Sequence, residues 1–287
     1  MKQAVMTRFV YLSDTHWGIE TPGYTMQASQ PSRLPELLAA LEAWMDAHGP
    51  VDFVLHGGDM IDSTREENID CAAEMFRLSV PVYLCLGNHD LTGEQAVQMW
   101  LDRAPHLFLG GVNFTIETPD CLIHVAPNQW GAEPYVWNGV QEPYFLSEQE
   151  RFIEAGLERQ ADRIHILSTH SPFCGVPADQ TGLTEPFHRP PQGFVEWGEA
   201  LCAAHRSLHC VLGAHSHINT CVATHMAHFV TSSSFVEMPF DFKCFDLADG
   251  HLSMTTHSLA NWIGATAGYD YEKTFVQGRA CDRAFGR

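Results

Sequence analysis

FVYLSDTH, residues 9–16, joins an apolar, strand-like run to a polar end. The same order recurs in FVLHGGD, residues 53–59, and in VYLCLGNHD, residues 82–90. Short apolar runs that stop at turn or polar residues are typical of buried strands. Because helical patterns at Leu34–Ala47 and Glu66–Leu78 separate the three runs, the sequence predicts βαβ units with parallel strands.

The rest of the chain adds strands of mixed direction. Val112–Glu117 and Cys121–Ala126 predict an antiparallel hairpin. Ser147–Gln160 predicts a helix with Ser147 as its N-cap and Glu150 at capping-box spacing. Further strands are expected at Ile164–Ser168, Cys210–Gly213, Thr220–Thr224, His228–Thr231, Phe242–Leu247 and His251–Thr256. Together these elements predict an α/β sandwich of two mixed β-sheets with helices outside.

The composition is that of a globular protein. The 287 residues are 45% hydrophobic and 18% charged, enough for one large domain or two small ones. No apolar run is long enough to cross a membrane, and residues 1–5 do not begin a secretory signal, so we expect a cytoplasmic protein. The nine cysteines form no CxxC pair, which favours reduced thiols.

The charge of the chain argues against a nucleic-acid partner. The formal net charge is −19, with only 16 Lys and Arg residues. A surface of this sign repels polyanions, and the sequence contains no basic stripe that would bind one. We therefore expect a small-molecule partner rather than a nucleic acid.

Five polar clusters follow apolar runs, and they contain the residues most suited to metal binding and catalysis. They are Asp14-Thr15-His16, Gly58-Asp59, Gly87-Asn88-His89-Asp90, Thr169-His170 and His215-Ser216-His217. Sites in α/β sheets lie at strand ends, and two metal ions need ligands from several strands. A single histidine at a strand end is more often structural, so the prediction of a metal site rests on the combination of all five clusters. Asp14 and His16 would point to the same side if the chain stayed extended.

In this combination the clusters resemble the motifs of the calcineurin-like metallophosphoesterases, and the resemblance spans residues 12–217. It implies a four-layer αββα sandwich with a binuclear metal centre. It implies seven metal ligands: Asp14, His16, Asp59, Asn88, His170, His215 and His217. Asp59 would bridge the ions, His89 would be the catalytic proton donor, and Asp90 would orient it.

The chemistry of these residue types agrees with that implied site. Two ions about 3.5–4 Å apart can share a water and generate hydroxide that attacks phosphorus in line with the leaving oxygen. A histidine can then protonate the leaving alkoxide. Mixed His, Asp and Asn ligands favour Mn, Fe or Zn over Mg as the two divalent or mixed-valence ions.

The substrate is less clearly indicated. Two divalent ions, the carboxylates of Asp14 and Asp59 and one hydroxide leave a net charge of about +1, which favours a phosphodiester over a monoester. Within the family, the sequence resembles the bacterial branch that contains cyclic-nucleotide and other phosphodiesterases. Phosphomonoesterase and nuclease activity remain alternatives. A non-catalytic scaffold, as in the family's retromer subunit, is disfavoured because His89 is present.

Two departures argue against a protein phosphatase. The arginine that follows the second aspartate of the Gly-Asp motif in those enzymes is absent after Asp62, and Asp90 replaces their glutamate. Asp62 itself has two interpretations. It could hydrogen-bond to residues of the metal site, or it could cap the following helix.

Two long irregular stretches, 127–146 and 171–192, are rich in aromatic residues and prolines. Such loops are often lids over active sites, although surface packing is an equal alternative. Within the second stretch, His188 and Arg189 could contact phosphate, although simple solvent exposure of both is the favoured alternative. Residues 1–257 are expected to form the metallophosphoesterase domain, and the tail, 258–287, to pack on this domain or on a second subunit of a homo-oligomer.

Overall fold

The computed structural model describes residues 6–19, 23–265 and 268–286, so the expectation for residues 1–5 lies outside the described part. Within it the strands are β1 Thr7–Leu12, β2 Phe53–His56, β3 Val82–Leu84, β4 Phe114–Glu117, β5 Cys121–Val125, β6 Ile164–Ser168, β7 Leu208–Gly213, β8 Thr220–Ala223, β9 His228–Thr231, β10 Asp241–Ala248, β11 His251–Ser258 and β12 Ala284–Gly286. The α-helices are α1 Leu34–His48, α2 Glu66–Met75, α3 Ala96–Arg103, α4 Ser147–Glu158, α5 Ala178–Thr181, α6 Gln192–Ala204 and α7 Ala280–Arg283.

These strands form two six-stranded mixed sheets in the described residues. The first has the order β12-β11-β10-β1-β2-β3, and the second β4-β5-β6-β7-β9-β8. The predicted βαβ units are confirmed, because β1 pairs in parallel with β2 and β2 with β3. The predicted hairpin is confirmed by the antiparallel pairing of β4 with β5.

The sheets pack face to face with helices outside. Phe9 and Leu12 of β1 belong to the same buried cluster as Ile166 of β6 and Leu212 of β7. A hydrogen bond crosses the interface, since Tyr11 Oη donates to the Gly213 carbonyl at 2.9 Å. The helix α1 packs on the outer face of the first sheet, while α4 and α6 contribute to a second cluster on the outer face of the other. The αββα sandwich is therefore confirmed.

The structure corrects the start of α4. The helix begins at Ser147, so Ser147 is not its N-cap, and the cap position is taken by Leu146. Gln149 Oε1 accepts the Leu146 N–H at 3.1 Å, so Gln149 rather than Glu150 satisfies the exposed end of the helix. The sequence reasoning also missed α3 and α6.

The tail packs on the body of the chain in the described residues. Strand β12 pairs with β11 at the edge of the first sheet. Val276 forms a small buried cluster with Val176 and Ile218. The Gln27 amide donates to the carbonyls of Asp270 and Lys273 at 2.9 and 3.1 Å. The division at residue 257 remains a prediction. Among the described helices, none is both long and apolar enough to cross a lipid bilayer.

Candidate metal centre

The five polar clusters meet at one edge of the sandwich. They follow β1, β2 and β3, which are neighbours in the first sheet, and β6 and β7, which are neighbours at the centre of the second. Backbone hydrogen bonds join their loops, because Asp14 N–H donates to the Gly58 carbonyl at 2.9 Å and Ala214 N–H to the His170 carbonyl at 2.7 Å. The strand ends therefore bring together residues that are more than 200 positions apart in sequence.

The backbone within the clusters is not extended, contrary to the geometry expected for Asp14 and His16. Five of the seven predicted ligands have left-handed φ angles between 43° and 64°: Asp14, His16, Asp59, His215 and His217. Non-glycine residues rarely adopt this conformation, and each costs on the order of 1–3 kcal/mol. These turns, rather than strand alternation, aim the side chains at one another.

One group of side chains has the spacing of ligands around a single ion. The Nε2 atoms of His16 and His217 lie 3.2 Å apart, and His217 Nε2 lies 3.5 Å from Asp14 Oδ1. Two ligands bonded to one transition-metal ion at about 2.0–2.1 Å are separated by roughly 2.9–3.4 Å. The three side chains therefore fit one ion.

A second group surrounds Asp59. His170 Nε2 lies 3.1 Å from Asp59 Oδ2, and His215 Nδ1 lies 3.0 Å from Asn88 Oδ1. His170 Nε2 is buried, and besides this contact to Asp59 it has no hydrogen-bond partner among the described residues. A carboxylate oxygen and an imidazole nitrogen at this spacing can bind the same ion. Asp59 also lies 3.8 Å from His16 Nε2, between the two groups.

The second nitrogen of three of these imidazoles is held by the protein. His217 Nδ1 contacts Glu237 Oε1 at 2.6 Å, His170 Nδ1 contacts the Gly57 carbonyl at 2.9 Å, and His16 Nδ1 contacts Tyr24 Oη at 2.9 Å. Such contacts fix the ring and its tautomer, so that Nε2 is left for a metal. Sequence reasoning missed Glu237 and Tyr24, because neither lies in a motif or follows a strand end in the first half of the chain.

His89 lies beside this cluster, and the residue that orients it differs from the one expected. His89 Nδ1 donates to the Asp62 carbonyl at 2.8 Å and lies 3.4 Å from the Asp62 carboxylate. The Asp90 carboxylate instead accepts N–H groups of Gly87, Met60 and Ile61 at 2.9–3.3 Å. Asp90 therefore fixes the two loops, and Asp62 orients the imidazole.

Asp62 belongs to the site rather than to a helix end. Its carboxylate accepts the Tyr24 hydroxyl and lies 3.6 Å from His16 Nδ1. The cap position of α2 is Arg65, and no side chain caps it. The reading of Asp62 as a helix cap is therefore wrong.

The site is strongly anionic and buried. Burial disfavours the charged form of Asp14, but His217 and His170 outweigh it and lower the pKa of Asp14 to about 2. Burial likewise opposes protonation of His170 and His89, yet Asp59 raises the pKa of both to about 9. Carboxylates that keep nearby imidazoles protonated in this way are suited to binding cations at the same positions.

A cleft of about 490 Å³ opens onto the cluster. Besides six of the polar residues already described, it is lined by Tyr24, Met26, Trp137, Gln141, His188 and Ser216. The Trp137 and Tyr24 rings lie 4.6 and 4.9 Å from the His89 ring. The predicted loop 127–146 thus contributes Trp137, and His188 reaches the cleft. Arg189 does not line it, but lies in an adjoining cavity of about 250 Å³.

Comparisons with known proteins agree with this geometry. A dimetal phosphatase from Danio rerio has 16% identity and a TM-score of 0.67, over 88% of this chain and 96% of that chain. GAP50 of Plasmodium has 11% identity and a TM-score of 0.59, over 89% and 85%. A putative 5′-nucleotidase from Staphylococcus aureus has 15% identity and a TM-score of 0.55, over 88% of this chain but only 53% of its own.

At these identities the structural likenesses show the fold alone. Comparison with curated protein sequences gave no match. The sequence model of one family, the calcineurin-like phosphoesterases, matches residues 7–219. This match covers most of the chain and includes each of the five polar clusters, so the protein belongs to the calcineurin-like phosphoesterase family and is a metal-dependent phosphoric ester hydrolase.

Proposed function

We propose that this protein is a binuclear-metal phosphodiesterase that hydrolyses small diesters, including cyclic nucleotides. The observation that carries the proposal is the convergence of seven candidate ligand side chains at one edge of the sandwich, with His170 Nε2 3.1 Å from Asp59 Oδ2. Asp14, His16 and His217 would hold one ion, Asn88, His170 and His215 the other, and Asp59 would bridge them. The His, Asp and Asn ligand set suits Mn, Fe or Zn.

The metal ions, when bound, would lower the pKa of water and stabilise the negative charge that develops on the phosphoryl group. The protein supplies the proton for the leaving oxygen. Because His89 Nδ1 is engaged by Asp62, Nε2 is the nitrogen left for the cleft. His89 N–H also donates to Asp59 Oδ1 at 2.8 Å, so the proton donor and the bridging carboxylate move as one unit.

The charge of the cleft favours a phosphodiester over a phosphomonoester as the substrate. No Lys or Arg lines the cleft in the part of the chain that the structure describes. The Asp62 carboxylate lies beside His89 and His16, which adds a negative charge to those of the metal-binding aspartates. A monoester dianion would meet this charge with no basic side chain in the described lining to offset it other than the histidines, whereas a diester carries one negative charge fewer.

The aromatic rings around His89 suggest where the leaving group lies. His89 would protonate the leaving oxygen, so the leaving group must lie next to it. Tyr24 and Trp137 flank the His89 ring and provide a wall for an apolar or planar leaving group.

The test is a metal-reconstitution assay on the full chain. Protein stripped by a chelator and reloaded with Mn²⁺, Fe²⁺ or Zn²⁺ should bind about two ions per chain. It should hydrolyse bis(p-nitrophenyl) phosphate at least about tenfold more efficiently than p-nitrophenyl phosphate. Two bound ions with a preference for the monoester would make the protein a phosphomonoesterase. Absence of hydrolysis with every metal would contradict the proposal as a whole.

A further inference from the structure

The cavity that contains Arg189 is continuous with the metal cleft. The two share four lining residues: Gln141, His188, His215 and Ser216. Its volume of about 250 Å³ equals that of roughly eight waters, at about 30 Å³ each, which is room for one phosphate group with part of its hydration shell. We call it the side cavity.

Besides three prolines, the described lining of the side cavity consists of side chains that can donate hydrogen bonds, and it includes no carboxylate. Its one formal charge among the described lining residues is the Arg189 guanidinium. The Arg189 Nη2 group donates to Gln192 Oε1 at 2.6 Å, and Gln192 is turned toward it because its own amide donates to Glu196 at 2.9 Å. Arg189 is exposed and forms no ion pair with a described carboxylate, so it places a positive charge at the edge of the side cavity in a chain of net charge −19.

A second observation points to a ligand. Ser216 is only 3% exposed and lines both the cleft and the side cavity. Its buried Oγ has no hydrogen-bond partner in the described part of the chain. A buried hydroxyl without a partner costs free energy, and an acceptor oxygen in the cavity would recover it once the Ser216 side chain turns toward the cavity. Ser171 offers a second hydroxyl there, since its Oγ makes only a long contact of 3.5 Å to the Pro172 carbonyl.

The backbone holds these groups in place. Val176 and Phe187 form a two-way bridge, with N–H to carbonyl distances of 2.8 and 2.9 Å, that closes the loop just before His188 and Arg189. His188 then adopts a left-handed φ of 49°. The loop is thus a fixed wall between the metal cleft and the side cavity.

The side cavity does not border the residues that flank the proposed leaving group. None of its lining residues is His89, Tyr24 or Trp137. A group in the side cavity would therefore belong to the part of the substrate that stays on phosphorus.

From these observations we infer that the side cavity binds a second phosphate group on the retained alcohol of the substrate, which makes the preferred substrate a diester that also carries a phosphomonoester. This inference rests on the phosphodiesterase function proposed above. The second phosphate keeps all its bonds during the reaction. Water oxygen bonds to the scissile phosphorus, the bond to the leaving oxygen breaks, and His89 gives that oxygen a proton. The guanidinium of Arg189 and the hydroxyl of Ser216 donate to the second phosphate.

The experiment compares two chromogenic diesters on the metal-loaded full chain. They are the p-nitrophenyl esters of thymidine 5′-phosphate with and without a 3′-phosphate, in both of which p-nitrophenol leaves and thymidine is retained. The wild type should show at least about tenfold higher kcat/KM for the 3′-phosphorylated diester, mostly through KM. Arg189→Met should reduce this ratio about tenfold, and Ser216→Ala about threefold.

Arg151→Met, on α4, removes the same charge away from both cavities and should keep the wild-type ratio. Metal content is measured for each variant, so that a folding defect is recognised. Equal kcat/KM for the two diesters in the wild type, or an unchanged ratio in Arg189→Met, would overturn the inference.

A binding measurement separates this inference from the function on which it rests. Titration calorimetry compares thymidine 3′,5′-bisphosphate with thymidine 5′-phosphate on the metal-loaded protein. If no diester is hydrolysed, the phosphodiesterase proposal fails. Tighter binding of the bisphosphate that is lost in Arg189→Met would then still establish the second phosphate site, whereas equal binding of the two nucleotides would remove it.

Discussion

His89 is held so that one of its ring nitrogens remains for chemistry. Asp62 occupies Nδ1, while the His89 N–H donates to Asp59. A histidine in this position matters most when the leaving group is a poor one, because a strongly basic alkoxide departs only with a proton.

The first prediction follows from that dependence. His89→Ala should retain about two metal ions per chain, since the backbone N–H of residue 89 still donates to the Asp59 carboxylate. Its kcat for a diester with an alkyl leaving group should fall by about 10²–10⁴-fold, and by much less for p-nitrophenol. Single-turnover rates with both leaving groups give this comparison, and exposed His106→Ala is the control. Equal losses for both leaving groups would argue against a proton donor.

The candidate ligands could be predicted from the sequence, but the contacts that support them could not. Each candidate lies in a short motif after an apolar run, so local order was enough to choose it. The contact from Glu237 to His217 joins two loops that come together only in the folded sandwich. Asp62 was visible as a candidate, yet its role depended on where His89 and Tyr24 would lie.

At the scale of elements, β5 and β6 contain a pair of buried histidines that lies away from the metal centre. His124 Nε2 contacts His165 Nδ1 at 2.9 Å, and His124 Nδ1 contacts Thr115 Oγ1 at 3.0 Å. The helix α4 lies over the pair, because a Cβ at Gly156 would touch the His124 ring. Burial first, and then the neighbouring His165, lower the pKa of His124 to about 3.

The second prediction is acid sensitivity of the apo-protein. Between pH 6.5 and 3 the unfolded chain binds a proton at His124 that the folded chain does not, so stability must fall as pH falls through this window. From pH 6.5 to 5 the loss at His124 is about 2 kcal/mol. Urea unfolding in the presence of a chelator should show a shallower acid slope for His124→Gln than for wild type. Exposed His251→Gln should leave the slope unchanged, and an identical slope for His124→Gln would refute the assignment.

Elements with simple periodic patterns were predictable, and α6 shows what was overlooked. Its buried residues are Phe194, Gly198, Leu201 and Cys202, a spacing of four, three and one that is helical. The predicted irregular stretch ends at residue 192, where the helix begins, and no element was predicted for the residues that follow it. The short strand β12 could not be predicted, because three residues acquire strand geometry only by pairing with β11.

At the scale of the whole molecule, the tail connects the sheet to the walls of the cleft. Val276 packs with Val176 and Ile218, and Met26 and Phe187 border this cluster. Met26 lines the cleft, and Phe187 precedes the loop wall at His188. The tail therefore packs against Met26, which lines the cleft, and against Phe187, which precedes the cleft residue His188.

The third prediction tests the effect of that packing. Val276→Ala should lower the free energy of unfolding of the apo-protein by about 2 kcal/mol, because the cavity it leaves is fully buried. It should also raise KM for a diester more than it lowers kcat, because it loosens the walls and not the metal ligands. Cys281→Ser, exposed on the same tail, is the matched control. A stability loss with unchanged KM would show that the tail does not shape the cleft.

The left-handed backbone at Asp14 and Asp59 has a consequence for protein engineering. Asparagine is among the few residues that tolerate this conformation, and it has the shape of aspartate without the charge. Asp14→Asn and Asp59→Asn should therefore keep the backbone conformation of the candidate metal site while weakening the binding of metal ions. Such variants would serve as substrate traps, with which the natural ligand could be recovered from a cell extract and identified.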